Sequence, residues 1–154
     1  MPRDELTARL DVAGVRRNSY ANVLLTHPVF DTREAKSVDV VEHSVTDLGL
    51  TDGGTLTQIR AAARAQGLAL CPADTAPYLR LAWLDQATAP DSDLSLGRPP
   101  TASLQVATAA LSADDDFPTG FYLRVIDDVP WLRGFRCDDD YVMPPAERVA
   151  LRRP

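Results

Sequence analysis

Three aromatic–arginine pairs, each with the two residues two positions apart, are the residues of this chain best suited by type and spacing to bind a ligand. They are Tyr78 with Arg80, Tyr122 with Arg124, and Trp131 with Arg133. Residues two apart in a β-strand point to the same side, so each pair would present a ring and a guanidinium together. Such a surface can stack on a nucleobase, hold an acidic peptide, or grip a carboxylate with two hydrogen bonds.

Two other interpretations of these pairs require no ligand. Rings and guanidiniums are ordinary neighbours on the exposed side of a half-buried sheet, where a cation–π contact contributes about 0.5–1 kcal/mol. Alternatively, Trp131 and Phe135 face the core, and Leu132 lies outside. If the rings and guanidiniums share the exposed face of the sheet, Gln105 belongs to a smooth patch beside them.

A second candidate centre consists of Asp39 and His43, which could share one face of a strand and act as an acid–base pair. Ser44 points to the opposite face from His43, so the local sequence forms no nucleophile–base pair. A surface ion pair is the simpler interpretation of Asp39 and His43. The sequence contains no phosphate-binding loop, no G-x-S-x-G nucleophile elbow and no H-E-x-x-H zinc-protease motif, and we predict no cofactor.

Acidic clusters at 114–116, 127–128 and 138–140 are typical of turns in which aspartates accept backbone hydrogen bonds. None has the spacing of a calcium-binding loop, and we predict no metal site. Cys71 and Cys137 are far apart and form no C-x-x-C motif. We therefore expect reduced thiols and a cytoplasmic protein.

The net charge of the 154-residue chain is −6, which disfavours a general nucleic-acid binder because phosphate recognition needs a basic surface. The first residues are charged and lead into no apolar signal segment, and no apolar run reaches the length of a membrane span. The length fits a single domain over residues 1–154.

Helical signals occur in two places. Apolar spacing predicts a first helix within 3–17, weakened at its end by Gly14. Thr55 and Gln58 form a capping box that predicts a helix over 56–66.

Alternating and β-branched segments predict strands at 37–45, 78–84, 102–111, 120–126, 131–137 and 148–152. The alanines of 102–111 also allow a helix there. The stretch 86–101 is rich in Pro, Ser, Asp and Gly and predicts a mobile loop. The expected fold is α+β, with an antiparallel sheet of four to six strands packed on one face by one or two helices.

Part of the chain resembles a group of short bacterial proteins with a GL-x-LCP, an LRL and a DD-x-x-WL pattern. The resemblance covers roughly residues 37–151, and the matching positions are Gly67, Cys71, Pro72, Leu79, Arg80, Leu81, Arg124, Asp127, Asp128, Trp131 and Leu132. No activity is established for that group, so the resemblance implies an α+β domain and no particular function.

These observations favour a non-enzymatic binding or adaptor module that recognises a protein partner through the aromatic–arginine sheet face or through the 86–101 loop. One alternative is a small enzyme that uses Asp39, His43 and the acidic turns, which would require a deep pocket with convergent titratable groups. Another is an acidic inhibitor or immunity-type protein that neutralises a basic partner.

Overall fold

The computed structural model describes residues 1–31, 37–92 and 100–154 of the chain. Helices and strands alternate irregularly within them, as expected for an α+β fold. In chain order they are α1 (Arg3–Val12), β1 (Arg16–Arg17), α2 (Ser19–Leu24), a 3-10 turn (Pro28–Asp31), β2 (Val40–Ser44), α3 (Leu56–Ala65), α4 (Thr75–Ala82), β3 (Leu104–Val106), β4 (Gly120–Ile126), β5 (Val129–Phe135) and β6 (Arg148–Arg152).

The strands form one mixed sheet in the order β1-β5-β4-β3-β6-β2. β4 is antiparallel to β3 and β5, and β2 is antiparallel to β6, whereas β1–β5 and β3–β6 are parallel pairs. The α+β class is confirmed, but the prediction of a purely antiparallel sheet is wrong. The parallel pairs arise because β1 and β6 come from the two ends of the chain and are added to the central strands by long connections.

Helices cover both faces of the sheet, so the prediction of helices on one face is also wrong. The face with Leu104, Leu123 and Leu132 packs against α1, α2 and α4 in the larger apolar cluster. Val149 and Leu151, on the opposite face, pack against Ile59 and Ala63 of α3. α3, the helix expected at 56–66, therefore lies on the other side of the sheet from Leu104, Leu123 and Leu132.

α3 is the helix whose sequence signals are met most fully. The Thr55 hydroxyl accepts a hydrogen bond from the backbone N–H of Gln58 at 3.2 Å, and the Gln58 side chain accepts one from the N–H of Thr55 at 2.9 Å. This capping box satisfies two donors that the first turn leaves open. Gly67, with φ +76, follows the last turn in the left-handed conformation expected of a helix-ending glycine.

The segment 78–84 is helical at its start, and the predicted strand there is wrong. Leu79, Leu81 and Trp83 alternate with polar residues and imitate a strand, but α4 begins at Thr75. Pro77 is tolerated because N–H groups of a helix's first turn have no partner within the helix. Ala76 and Arg80, four residues apart, are both buried, which is the spacing of one helical face.

The hairpin of β4 and β5 follows its sequence pattern closely. Asp127 and Asp128 both have positive φ, at 49° and 62°, as a two-residue turn between antiparallel strands requires. β5 begins at Val129, two residues before the predicted start of its strand.

The last strand, 148–152, is confirmed with its predicted bounds, whereas the strand expected at 102–111 is limited to β3.

Candidate functional site

The structure divides the six predicted site residues among three elements. Tyr78 and Arg80 lie in α4, so they cannot share a sheet face with the other four. The prediction of a single exposed aromatic–arginine face is wrong for a second reason. Arg80 and Arg124 are both 0% exposed, and neither guanidinium is presented to solvent.

Arg80 is a structural side chain that joins α4 to the β4–β5 hairpin. Its Nη1 donates to the Gln86 side-chain oxygen at 2.8 Å and to the Trp131 carbonyl at 3.2 Å, and its Nη2 donates to the carbonyl of Trp83. Burial lowers the pKa of Arg80 to about 10, so the group keeps its charge at neutral pH. Backbone and amide oxygens occupy these terminal nitrogens, which leaves them little capacity for a ligand.

Arg124 is also engaged within the protein. Its Nε donates to the Thr101 carbonyl at 2.9 Å, and its Nη2 forms an ion pair with the Asp91 carboxylate at 3.0 Å. These contacts attach both flanks of the stretch predicted as a mobile loop to β4. The mobility of 86–101 stays a prediction, and residues 93–99 of it lie outside the described residues.

The remaining predicted residues do meet on one sheet face. Gln105 of β3 pairs with Tyr122 of β4, which pairs with Arg133 of β5, so the three side chains lie in one row across adjacent strands. Leu132 is fully buried in the larger apolar cluster on the opposite face. The alternative in which Trp131 and Phe135 face that core while Leu132 lies outside is therefore wrong.

Arg133 is held in place by two neighbours. Its Nε donates to the Tyr122 hydroxyl at 2.8 Å, and its guanidinium carbon lies 4.8 Å from the centroid of the Trp131 ring. Its Nη1 and Nη2 make no hydrogen bond with any described residue, although the residue is only 9% exposed. An arginine fixed at Nε and stacked on a ring presents a planar pair of donors at low entropic cost.

Arg133 lines a cleft of about 730 Å³. This volume is in the range of small-molecule sites. The wall contains polar and titratable side chains from several elements and from the chain between β5 and β6: Ser103, Gln105, Tyr122, Arg133, Arg136, Cys137, Asp138, Asp140, Tyr141 and Glu147.

Glu147 is the residue of this cleft that the sequence analysis missed. Its side chain is 8% exposed, and one carboxyl oxygen accepts a hydrogen bond from the Ser103 hydroxyl at 3.3 Å. Burial raises the pKa of Glu147 to about 7, with the Ser103 hydrogen bond opposing the shift. Glu147 precedes β6 with the same parity as Val149 and Leu151. An acidic residue in phase with an apolar strand face was the available signal.

Burial also raises the pKa values of two further side chains of the cleft, Cys137 and Tyr141. The pKa of the Cys137 thiol is raised, mainly by desolvation, so Cys137 is a thiol rather than a thiolate at neutral pH. The pKa of Tyr141 is raised by desolvation and by the nearby Glu147 carboxyl. The Gln105 side-chain oxygen is buried and has no hydrogen-bond partner among the described residues.

Asp39 and His43 do not contribute to the cleft. His43 lies in β2, at the edge of the sheet, and pairs with Val149 of β6. Ser44 and Asp47 exchange hydrogen bonds between their side chains and backbone N–H groups, which caps a turn. Neither Asp39 nor His43 lines the cleft described above, so the pocket required by the His43 enzyme hypothesis is not found there.

The acidic turns follow the sequence interpretation in part, because Asp114 accepts from a backbone N–H whereas Asp138 pairs with an arginine side chain. The Asp114 carboxylate accepts from the N–H of Asp116 at 3.0 Å, and Asp138 pairs with Arg136 at 3.1 Å. Within 1–31, 37–92 and 100–154, no three His, Cys, Asp or Glu side chains gather as metal ligands would. In the same ranges no helix is long and apolar enough to span a bilayer.

Comparisons with protein families, with curated proteins and with solved structures found no match to this chain. The resemblance to the short bacterial proteins stays a prediction. Several of its positions have structural roles, because Arg80 donates to the carbonyl of Trp131 and Asp127 and Asp128 form the hairpin turn.

Proposed function

We propose that the protein is a binding module for a small molecule that carries a carboxylate, which Arg133 holds in the cleft. The observation that supports this proposal most is the state of the Arg133 side chain. Its Nε is engaged by Tyr122 and its guanidinium is stacked on Trp131, its two terminal nitrogens have no described partner, and the residue lines the cleft. This arrangement suits bidentate recognition of a carboxylate.

The surrounding charges favour a carboxylate over a phosphate. Asp138, Asp140 and Glu147 share the cleft with Arg133 and Arg136, and Arg136 is already paired with Asp138. A dianionic phosphate would meet this acidic wall at a larger electrostatic cost than a monoanion. The overall charge of −6 acts in the same direction.

The protein partner expected from the sequence is less well supported than a small molecule. A flat recognition surface would need Arg80 and Arg124 exposed, and both are fully buried. The guanidinium that remains available lies in a concave site of small-molecule size. We therefore retain the binding module and replace its expected partner with a small carboxylate.

Calorimetric titration with pentanoate and with its neutral isostere pentanamide tests the proposal. We expect pentanoate to bind at one site and pentanamide to bind at least about tenfold more weakly, because the charged hydrogen bonds are lost. Arg133→Gln should weaken pentanoate binding by about tenfold or more, and Arg133→Lys should recover only part of it because a lysine cannot bind bidentately.

The matched control is Arg16→Gln, which removes the same charge from an exposed position of β1 outside the cleft. It should leave pentanoate affinity unchanged. Circular dichroism and thermal melting confirm that each variant is folded. Equal affinity of the wild-type protein for pentanoate and pentanamide, or equal losses in the Arg133 and Arg16 variants, would contradict the proposal.

A further inference from the structure

The cleft has a second ionisable group, Glu147, which a ligand bound only through its carboxylate to Arg133 would not contact. Glu147 lines the same cleft as Arg133, and the residue is only 8% exposed. One of its oxygens accepts from Ser103, and the other makes no hydrogen bond with the part of the chain that the structure describes. A buried carboxyl with a free oxygen at a cavity wall is an acceptor for a ligand's donor.

Arg133 and Glu147 lie at two separate positions in the cleft wall. Arg133 lies in β5 and Glu147 directly precedes β6, and the sheet order places β4 and β3 between them. Arg133 is in the same row as Val149, and Glu147 lies two residues before Val149, so three strand spacings and this offset place the two Cα atoms about 16 Å apart. The two side chains form no ion pair with each other in the described structure, so neither neutralises the other.

We propose, on the basis of the carboxylate site above, that the ligand is a zwitterion whose ammonium group binds the Glu147 carboxylate while its carboxylate binds Arg133. A single molecule then satisfies both buried charges of the cleft. Because Arg133 and Glu147 are separated by three strand spacings, the ammonium and carboxylate of the ligand should be separated by several bonds. An ω-amino acid or a short peptide fits this requirement better than an α-amino acid.

The other charged and titratable groups of the cleft wall are Arg136, Cys137, Asp138, Asp140 and Tyr141. Asp138 is paired with Arg136, and Cys137 and Tyr141 are neutral at neutral pH, because their ordinary pKa values lie above it and burial raises both further. Asp140 adds a negative charge to the wall. These groups therefore add no unpaired cation that would compete with a ligand ammonium for Glu147.

Binding of a ligand ammonium to Glu147 should be coupled to the release of a proton from the Glu147 carboxyl. Burial raises the pKa of Glu147 to about 7, so most of this carboxyl is protonated at pH 6 in the free protein. A bound ammonium favours the ionised form and lowers that pKa. Binding at pH 6 should therefore release about one proton, and the affinity should increase as the pH rises from 6 to 7.

The experiment compares matched pairs of ligands by calorimetry at pH 6 in buffers of different ionisation enthalpy. The pairs are glycine with acetate, 4-aminobutanoate with butanoate, and 5-aminopentanoate with pentanoate. We expect the amino form to bind about tenfold more tightly in the longer pairs, with release of about one proton, and to show little advantage for glycine. The Glu147→Gln variant should lose both the preference and the proton release.

Asp140→Asn is the control, because it removes a carboxylate from the same wall while leaving Glu147 in place. It should keep the proton release. If the amino and des-amino ligands bind the wild-type protein equally, with Arg133→Gln still abolishing binding, the zwitterion inference fails and the carboxylate site stands. If no carboxylate of either kind binds, both proposals fail.

Discussion

Arg80 and Arg133 are two buried arginines with opposite surroundings. Arg80 lies between α4 and the β4–β5 hairpin, where carbonyl and amide oxygens occupy its terminal nitrogens. Arg133 is fixed through Nε and its ring contact, and its terminal nitrogens are left for the cleft. A buried guanidinium whose two terminal nitrogens both donate within the protein supports the fold, whereas one whose terminal nitrogens have no described partner is suited to binding.

Removing the side chain at Arg80 should have the largest effect on stability. Arg80→Ala removes a donor shared by four carbonyl and amide oxygens and creates a cavity, so we expect a loss of about 3–5 kcal/mol in the free energy of unfolding. Urea denaturation measures it. Arg64→Ala, at an exposed position of α3, is the control and should change stability by no more than about 0.5 kcal/mol. Similar losses in the two variants would remove the distinction between Arg80 and an ordinary surface arginine.

Between about pH 4.5 and 7, Glu147 should make the free energy of unfolding depend on pH, whereas Arg80 stays fully protonated in that range. The pKa of Glu147 rises from an ordinary value of 4.5 to about 7 on folding, so the folded protein binds more protons in this window. Glu147 therefore supports stability below about pH 4.5, and that contribution falls as the pH rises to about 7, by up to about 3 kcal/mol. Denaturation of the wild type and of Glu147→Gln at several pH values measures the difference. Parallel stability curves would contradict the shift.

A smaller effect is expected when the support of Arg133 is removed but its charge is kept. Tyr122→Phe deletes the hydroxyl that accepts from Arg133 Nε, at a cost of about 1–2 kcal/mol in the free energy of unfolding. Pentanoate affinity should fall several-fold, less than in Arg133→Gln, because the guanidinium is still present. Calorimetry and urea denaturation provide the two readouts. An unchanged affinity would show that Tyr122 does not position Arg133 for binding.

Local signals in the sequence were sufficient for several elements. The Thr55 capping box and Gly67 mark α3, and alternation with an Asp-Asp turn marks the β4–β5 hairpin, because each depends on contacts between residues close in sequence. Alternation also placed Tyr122 and Arg133 on one face correctly. The strand predicted at 78–84 failed because its alternation competes with a helix whose start lies upstream, at Thr75.

The composition of the site depended on contacts that no local pattern contains. The burial of Arg80 and Arg124 follows from partners far along the chain, including the carbonyls of Trp131 and Thr101. Glu147 reaches the cleft because β6 pairs with β3 in parallel, a long-range pairing that the predicted antiparallel sheet did not include. Its parity with Val149 is a local signal, but only the sheet order shows which side chains it meets.

The most direct test of the central claim is to observe the Arg133 guanidinium while a carboxylate is added. Arginine side-chain nitrogen NMR, with Arg133 assigned through the Arg133→Lys variant, records each guanidinium separately. Titration with pentanoate should shift the Arg133 resonances along a saturable curve and leave those of Arg80 and Arg16 in place. Resonances of Arg133 that do not move, or that move together with those of Arg16, would contradict the carboxylate site.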